Sequence, residues 1–107
     1  MLTQPRIVVA GGFWQRFKGL MLSAPLADDA AFLIRRCSSV HTFFMRHALD
    51  LAYLDQDGQI VKLERNVPPW RVSWGGVRAR HTLEMSMGGI DRLGLSVGET
   101  VVLSNNE

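Results

Sequence analysis

Two apolar runs, Leu51-Ala52-Tyr53-Leu54 and Ile60-Val61-Lys62-Leu63, stand on either side of Asp55-Gln56-Asp57-Gly58, and no other stretch constrains the fold as tightly. An Asp-x-Asp-Gly link between such runs signals a hairpin turn, because its glycine tolerates the positive φ the turn requires. A β-hairpin is therefore expected over about residues 49–65. Two strands are marginal on their own, so the pair must belong to a larger sheet.

Other segments supply it. Ile7-Val8-Val9 is a β-branched run closed by Gly11-Gly12, which reads as a first strand from Pro5 to Ala10. Ala30 to Arg35 reads as a second, Val40 to Arg46 alternates imperfectly, and Glu99 to Leu103 reads as a closing strand. Val77 to Met85 alternates most cleanly: Val77, Ala79, His81, Leu83 and Met85 face one way, and Arg78, Arg80, Thr82 and Glu84 the other. Phe13, Trp14, Phe17, Leu20 and Met21 recur at helical spacing, predicting a short amphipathic helix over about 13–21. Pro68-Pro69 stops the hairpin's second strand, since proline gives no ladder donor. Trp70 to Gly76 then reads as a loop, Gly88-Gly89 leads to a short turn or helix from Ile90 to Leu95, and residues 104–107 form a polar tail. This pattern predicts a mainly β, α+β domain: a small barrel, or a strongly curled antiparallel or mixed sheet with one or two short helices.

A chain of 107 residues, 47% hydrophobic, has enough apolar surface for one core and not for two, so residues 1–107 are expected to be a single domain. Its apolar runs fall far short of a bilayer span and no leader pattern opens the chain, which makes a cytoplasmic protein without membrane insertion the expectation. One cysteine excludes an intrachain disulfide, and three dispersed histidines form no metal motif, so neither metal nor cofactor is expected. The net charge is +2, with ten of the twelve basic residues arginine. That usage suits carboxylate or phosphate pairing, but no basic run is present, and nucleic acid is the least favoured partner.

Chemistry-bearing side chains crowd the segment from Arg35 to Asp50. Cys37, His41 and Asp50 are the ingredients of a thiol nucleophile, its base and an orienting acid. The alternative is a small packing thiol at Cys37 and a histidine satisfied by backbone at His41. His47 is expected at an exposed turn and His81 on an apolar strand face. Asp50 opens an apolar strand and needs a partner, for which Arg46 is the nearest candidate. Trp70-Arg71 and Trp74 could present flat aromatic surface beside charge, or one Trp could pin the loop.

These segments resemble the "domain of unknown function 192" family, a bacterial-type family. Arg16-Phe17-Lys18-Gly19-Leu20-Met21 is similar to its Arg-x-x-Gly-Leu-Met helix, and Cys37-Ser38-Ser39-Val40-His41-Thr42-Phe43-Phe44-Met45-Arg46 to its central signature. Asp50, the turn at Asp55–Gly58, Pro69-Trp70-Arg71, Ala79 to Glu84, Arg92-Leu93-Gly94-Leu95 and Gly98-Glu99 resemble the later blocks. The resemblance implies a barrel-like β domain and no particular reaction. Two departures are visible: His47-Ala48 replaces Phe-Pro, and Glu84-Met85-Ser86-Met87-Gly88-Gly89 replaces a block containing proline.

The expectation is a non-catalytic module that binds a small molecule or protein at one barrel end, through His41, Met45, Arg46, Asp50, Trp70, Arg71 and Glu84. A thiol-dependent enzyme using Cys37, His41 and Asp50 is the alternative, and single-stranded nucleic-acid binding through the Arg and Trp residues is the third.

Overall fold

The hairpin forms where its turn residues require it. In the computed structural model, which describes residues 6–10, 30–43 and 45–101, Asp55 Oδ1 accepts the N–H groups of Asp57 and Gln59 at 2.9 and 3.0 Å. Gly58 takes a φ of 86° and donates its N–H to Asp55 O at 3.0 Å. The turn joins β4 (Leu49–Leu54) to β5 (Ile60–Val67), and Pro68 ends the second strand as the sequence requires.

Five strands make one open mixed sheet: β1 (Arg6–Ala10), β2 (Ala30–Ile34), β7 (His81–Ser86), β4 and β5, in that order. β1 and β2 run parallel, and the other neighbours are antiparallel. β3 (Ser39–His41) and β6 (Val72–Trp74) form a separate antiparallel pair. A four-residue helix, α1 (Gly89–Arg92), follows β7. The mainly β expectation holds. Among the described residues the five-stranded sheet is not closed on itself, because β1 and β5 are its edges.

Several boundaries differ from expectation for identifiable reasons. The strand expected from Val40 to Arg46 ends at His41, because Thr42 turns the chain and accepts the Met45 N–H at 3.1 Å. The expected loop from Trp70 to Gly76 contains β6, which pairs with β3. The alternating segment from Val77 becomes strand only at His81. Of the closing strand expected from Glu99 to Leu103, Thr100 bridges to Gln59 and Glu99 O accepts the Ile60 N–H at 2.8 Å, and residues 102–103 lie outside the described residues. The helix expected over 13–21 and the tail at 104–107 lie outside the described residues. Among the described residues no helix is long and apolar enough to cross a membrane.

β7 and β4 are central, so their side chains are buried on both faces. On one face Ala31, Leu33, Ala52, Leu54, Leu83 and Met85 pack with Ile90 of α1. On the other, Leu51 and Tyr53 pack with Val40, Val67 and Ala79 beneath the β3–β6 pair. Thr82 and Glu84, which alternation sets on one face with Arg78 and Arg80, point to this second layer and are buried. The layer comes close enough that a Cβ on Gly75 would lie 2.4 Å from the Tyr53 ring.

Candidate functional site

Thr42 organises the most unusual surface of the molecule. Its N–H donates to Arg71 O at 2.8 Å, and its carbonyl accepts the Trp70 N–H at 3.0 Å. Its hydroxyl donates to Pro68 O at 2.7 Å and accepts the Arg71 N–H at 2.9 Å. This fully buried threonine therefore fastens the end of β3 to the segment entering β6.

The bonds hold Trp70 at a φ of 65°. Left-handed backbone costs a residue with a Cβ about 1–2 kcal/mol, so the conformation persists because its surroundings impose it. The result is a row of rings. Phe43 stacks on Trp70 with centroids 5.7 Å apart and planes at 25°, and the His41 ring lies 5.0 Å from that of Phe43 at 35°. Trp70 is 55% exposed and Phe43 37%, with Val72 and Trp74 exposed on the strand that follows. Arg71 is exposed beside the row, and Arg46 and His47 are exposed at the turn after it.

The structure thus separates the residues singled out from sequence. His41, Arg46, Trp70 and Arg71 lie at the surface, whereas Met45, Asp50 and Glu84 are buried. Neither Trp70 nor Trp74 is a buried pin. His41 is an exposed member of the ring row and not a core residue.

Asp50 has no ion pair with Arg46. Its Oδ1 accepts the Asn66 N–H and its Oδ2 the Ile90 N–H, both at 3.0 Å. Asn66, at a φ of 56°, belongs to the bulge where β5 slips against β4 between Leu49 and Leu51. Ile90 lies in the first turn of α1, whose own N-cap, Gly88, supplies no side-chain bond. A carboxylate there satisfies an orphan N–H and suits the positive end of the helix.

The nucleophile set does not assemble either. The Cys37 thiol donates to Ser39 O at 2.9 Å, and Asp50 is held by backbone, so neither reaches His41. Cys37 also serves through its carbonyl, which accepts the Thr82 hydroxyl at 2.7 Å.

A polar chain that no sequence motif announces runs under β6. The Tyr53 hydroxyl donates to Ser73 Oγ at 2.6 Å, and Ser73 donates to Glu64 Oε1 at 2.5 Å. Lys62 Nζ lies 3.3 Å from the same oxygen and donates to Trp74 O at 2.7 Å. Burial pushes the Tyr53 phenol up to about 12 against the lowering effect of the Ser73 bond, with the negative charges of Glu64 and Glu84 adding to the rise. The register that pairs Leu51 with Glu64 and Tyr53 with Lys62 was implicit in the hairpin, but the strand arriving from Val72 was not.

Comparison with known proteins places this arrangement. A UPF0127 protein of the archaeon Thermococcus sibiricus is 34% identical over 102 residues, covering 90% of this chain, which spans 64% of that relative's length. A protein of unknown function from the bacterium Novosphingobium aromaticivorans superposes with a TM-score of 0.70 at 19% identity, covering 88% of this chain and 70% of its own, and so shares the fold. A candidate transcription regulator from Sinorhizobium meliloti matches with a TM-score of 0.69 at 25% identity, covering 88% of this chain and 76% of its own. The sequence profile of DUF192, described as Uncharacterized ACR, matches residues 3–103, and the chain belongs to that family.

Proposed function

We propose that this domain is a non-catalytic protein-binding module, and that its contact surface is the ring row of His41, Phe43 and Trp70 with Arg71 and Arg46 at its rim. The observation that carries the reading is Trp70: a large aromatic side chain held outward by a backbone conformation that costs energy. Aromatic residues and arginine dominate the energetics of protein interfaces, and a rigid ring loses little entropy on binding. Met45, Asp50 and Glu84 are buried and lie outside this contact surface, which Thr42 holds in place through its bonds to Pro68, Trp70 and Arg71.

The test compares the full chain with Trp70→Ala and Arg71→Ala, each first shown to keep native stability. A partner identified on the full chain is purified, and its direct binding is measured. The reading requires that the purified partner bind the full chain and lose at least about tenfold in affinity to Trp70→Ala, the scale of an interface anchor. A partner that proves nuclease-sensitive, with affinity falling steeply as salt rises, would replace this reading with nucleic-acid binding.

A further inference from the structure

At the far end of β4 from the ring row, a cleft of about 350 Å³ is lined by Arg36, Ser38, Gln56, Ala79, Arg80 and His81. The separation follows from the sheet. Thr42 is fastened to Pro68, next to Val67 and its partner Leu49, whereas His81 pairs with Leu54. The six residues of β4 put roughly 17 Å between those ends.

Among the described residues the lining contains two guanidinium groups, an imidazole, a hydroxyl and an amide, and no carboxylate. Arg80 donates Nη1 to the carbonyls of Val77 and Ala79, both at 2.9 Å, which fixes the plane of its guanidinium. Its Nε and Nη2 make no hydrogen bond among the described residues. Arg36 stands at a φ of 56° and donates its backbone N–H to His81 Nδ1 at 3.1 Å. That bond makes Nδ1 the acceptor and puts the proton of the neutral ring on Nε2, a further donor. Asp55 and Asp57 line a neighbouring pocket that shares Gln56 and Arg80 with the cleft, and Asp55 Oδ1 is engaged by two N–H groups of its own turn.

Two positive charges, that of Arg80 held by its carbonyl contacts, and several neutral donors around one small space match a compact dianion. A planar monocarboxylate would engage one guanidinium fork, whereas a tetrahedral phosphate offers three terminal oxygens to donors in different directions. We propose that this cleft binds a phosphate dianion, taken either as free phosphate or as the phosphoryl end of a small molecule. The site is independent of the ring row, and either could fail without the other.

The experiment is an NMR titration of the full chain with inorganic phosphate and, separately, with glycerol phosphate. Sodium chloride and sodium acetate at matched ionic strength serve as controls. The His81 ring and the Arg36 N–H are expected to shift saturably with phosphate and not with chloride. Arg36→Gln and Arg80→Gln should each weaken binding about tenfold, the scale of one charge-assisted contact. Arg65→Gln removes the same charge from the Asp91 pair, elsewhere on the surface, and should change affinity by less than about twofold. If either cleft variant loses its native spectrum, His81→Gln is titrated instead and is expected to weaken binding. Tighter binding of glycerol phosphate points to a phosphorylated small molecule, and tighter binding of inorganic phosphate to the free ion. Linear shifts shared with chloride, an equal loss in Arg65→Gln, or a preference for acetate would each overturn the proposal.

Discussion

Asp50 caps a helix to which it does not belong: its Oδ2 accepts the N–H of Ile90, 40 residues later in the chain, at 3.0 Å. The other oxygen holds Asn66 in the β5 bulge, so one carboxylate ties β4, β5 and α1 together. Asp50→Asn offers one carbonyl oxygen and one amide, and the amide would face an N–H donor. A buried donor left unsatisfied costs about 1–3 kcal/mol. Asp50→Asn should therefore lower unfolding stability by about 2 kcal/mol, and Asp50→Ala, which strands both N–H groups, by about 3 kcal/mol or more. Urea denaturation measures both. A loss below about 0.5 kcal/mol for either variant, the scale of a neutral surface change, would mean the cap is dispensable.

Tyr53 is the sole tyrosine of the chain, so phenolate absorbance reports it alone. Its ionisation is expected at about pH 12, against an ordinary value of 10.0. Because the folded state keeps the proton longer than the unfolded state, stability from this group is complete below pH 10 and is lost as the pH rises to about 12. The slope in that window is about 1.4 kcal/mol per pH unit. Tyr53→Phe should remove the slope along with the bond to Ser73. Ionisation of the native protein near pH 10 would show that the phenol is not sealed beneath β6.

Gly75 is held to its size by the same ring. A Cβ there would come within 2.4 Å of the Tyr53 ring and 2.7 Å of the Ala79 Cβ, both in the core. Gly75→Ala should cost about 2–3 kcal/mol by overpacking. Gly76 is a contrasting neighbour: its surroundings are open, but its φ of 99° is strained for any side chain. Gly76→Ala should cost about 1 kcal/mol from backbone strain alone. A double variant with Tyr53→Leu separates the mechanisms, because it should relieve Gly75→Ala and leave Gly76→Ala unchanged. Equal costs for Gly75→Ala in both backgrounds would remove Tyr53 as the cause.

How much of this was legible in the sequence depends on how far apart the partners lie. The turn at Asp55–Gly58 is a local contact, and its residues declare it. Asp50 and Arg46 are also local, and the nearest opposite charge was the natural partner, yet the groups that bind Asp50 are backbone N–H groups 16 and 40 residues away. A backbone donor has no residue type and leaves no trace in composition. β7 shows a second limit. Its alternation groups Thr82 and Glu84 with the exposed Arg78 and Arg80, but β7 lies between β2 and β4 with layers on both faces, so polarity no longer reports exposure. The ring row depended on a third kind of information. Trp70 is legible as a residue type, while its outward position follows from Thr42 and a positive φ.

His81 joins the arginine cleft to pH. Its ring is half-buried, and Nδ1 accepts the Arg36 N–H at 3.1 Å. Burial lowers its pKa below the ordinary 6.5, and the charges of Arg35 and Arg36 lower it further, opposed by Asp55. The unfolded chain therefore takes up a proton at higher pH than the folded one. Stability from this group is unaffected above about pH 6.5, declines as the pH falls through that value, and levels off below the folded midpoint. The NMR titration midpoint of His81 should lie below 6.5 in the native protein. In His81→Gln the side-chain carbonyl can still accept the Arg36 N–H and cannot titrate, so the stability difference between it and the parent should change only in that acidic window. Phosphate in the cleft would offset the arginine charges and raise the His81 midpoint, whereas a midpoint at or above 6.5 without phosphate would show that burial and the arginine charges together do not govern this ring.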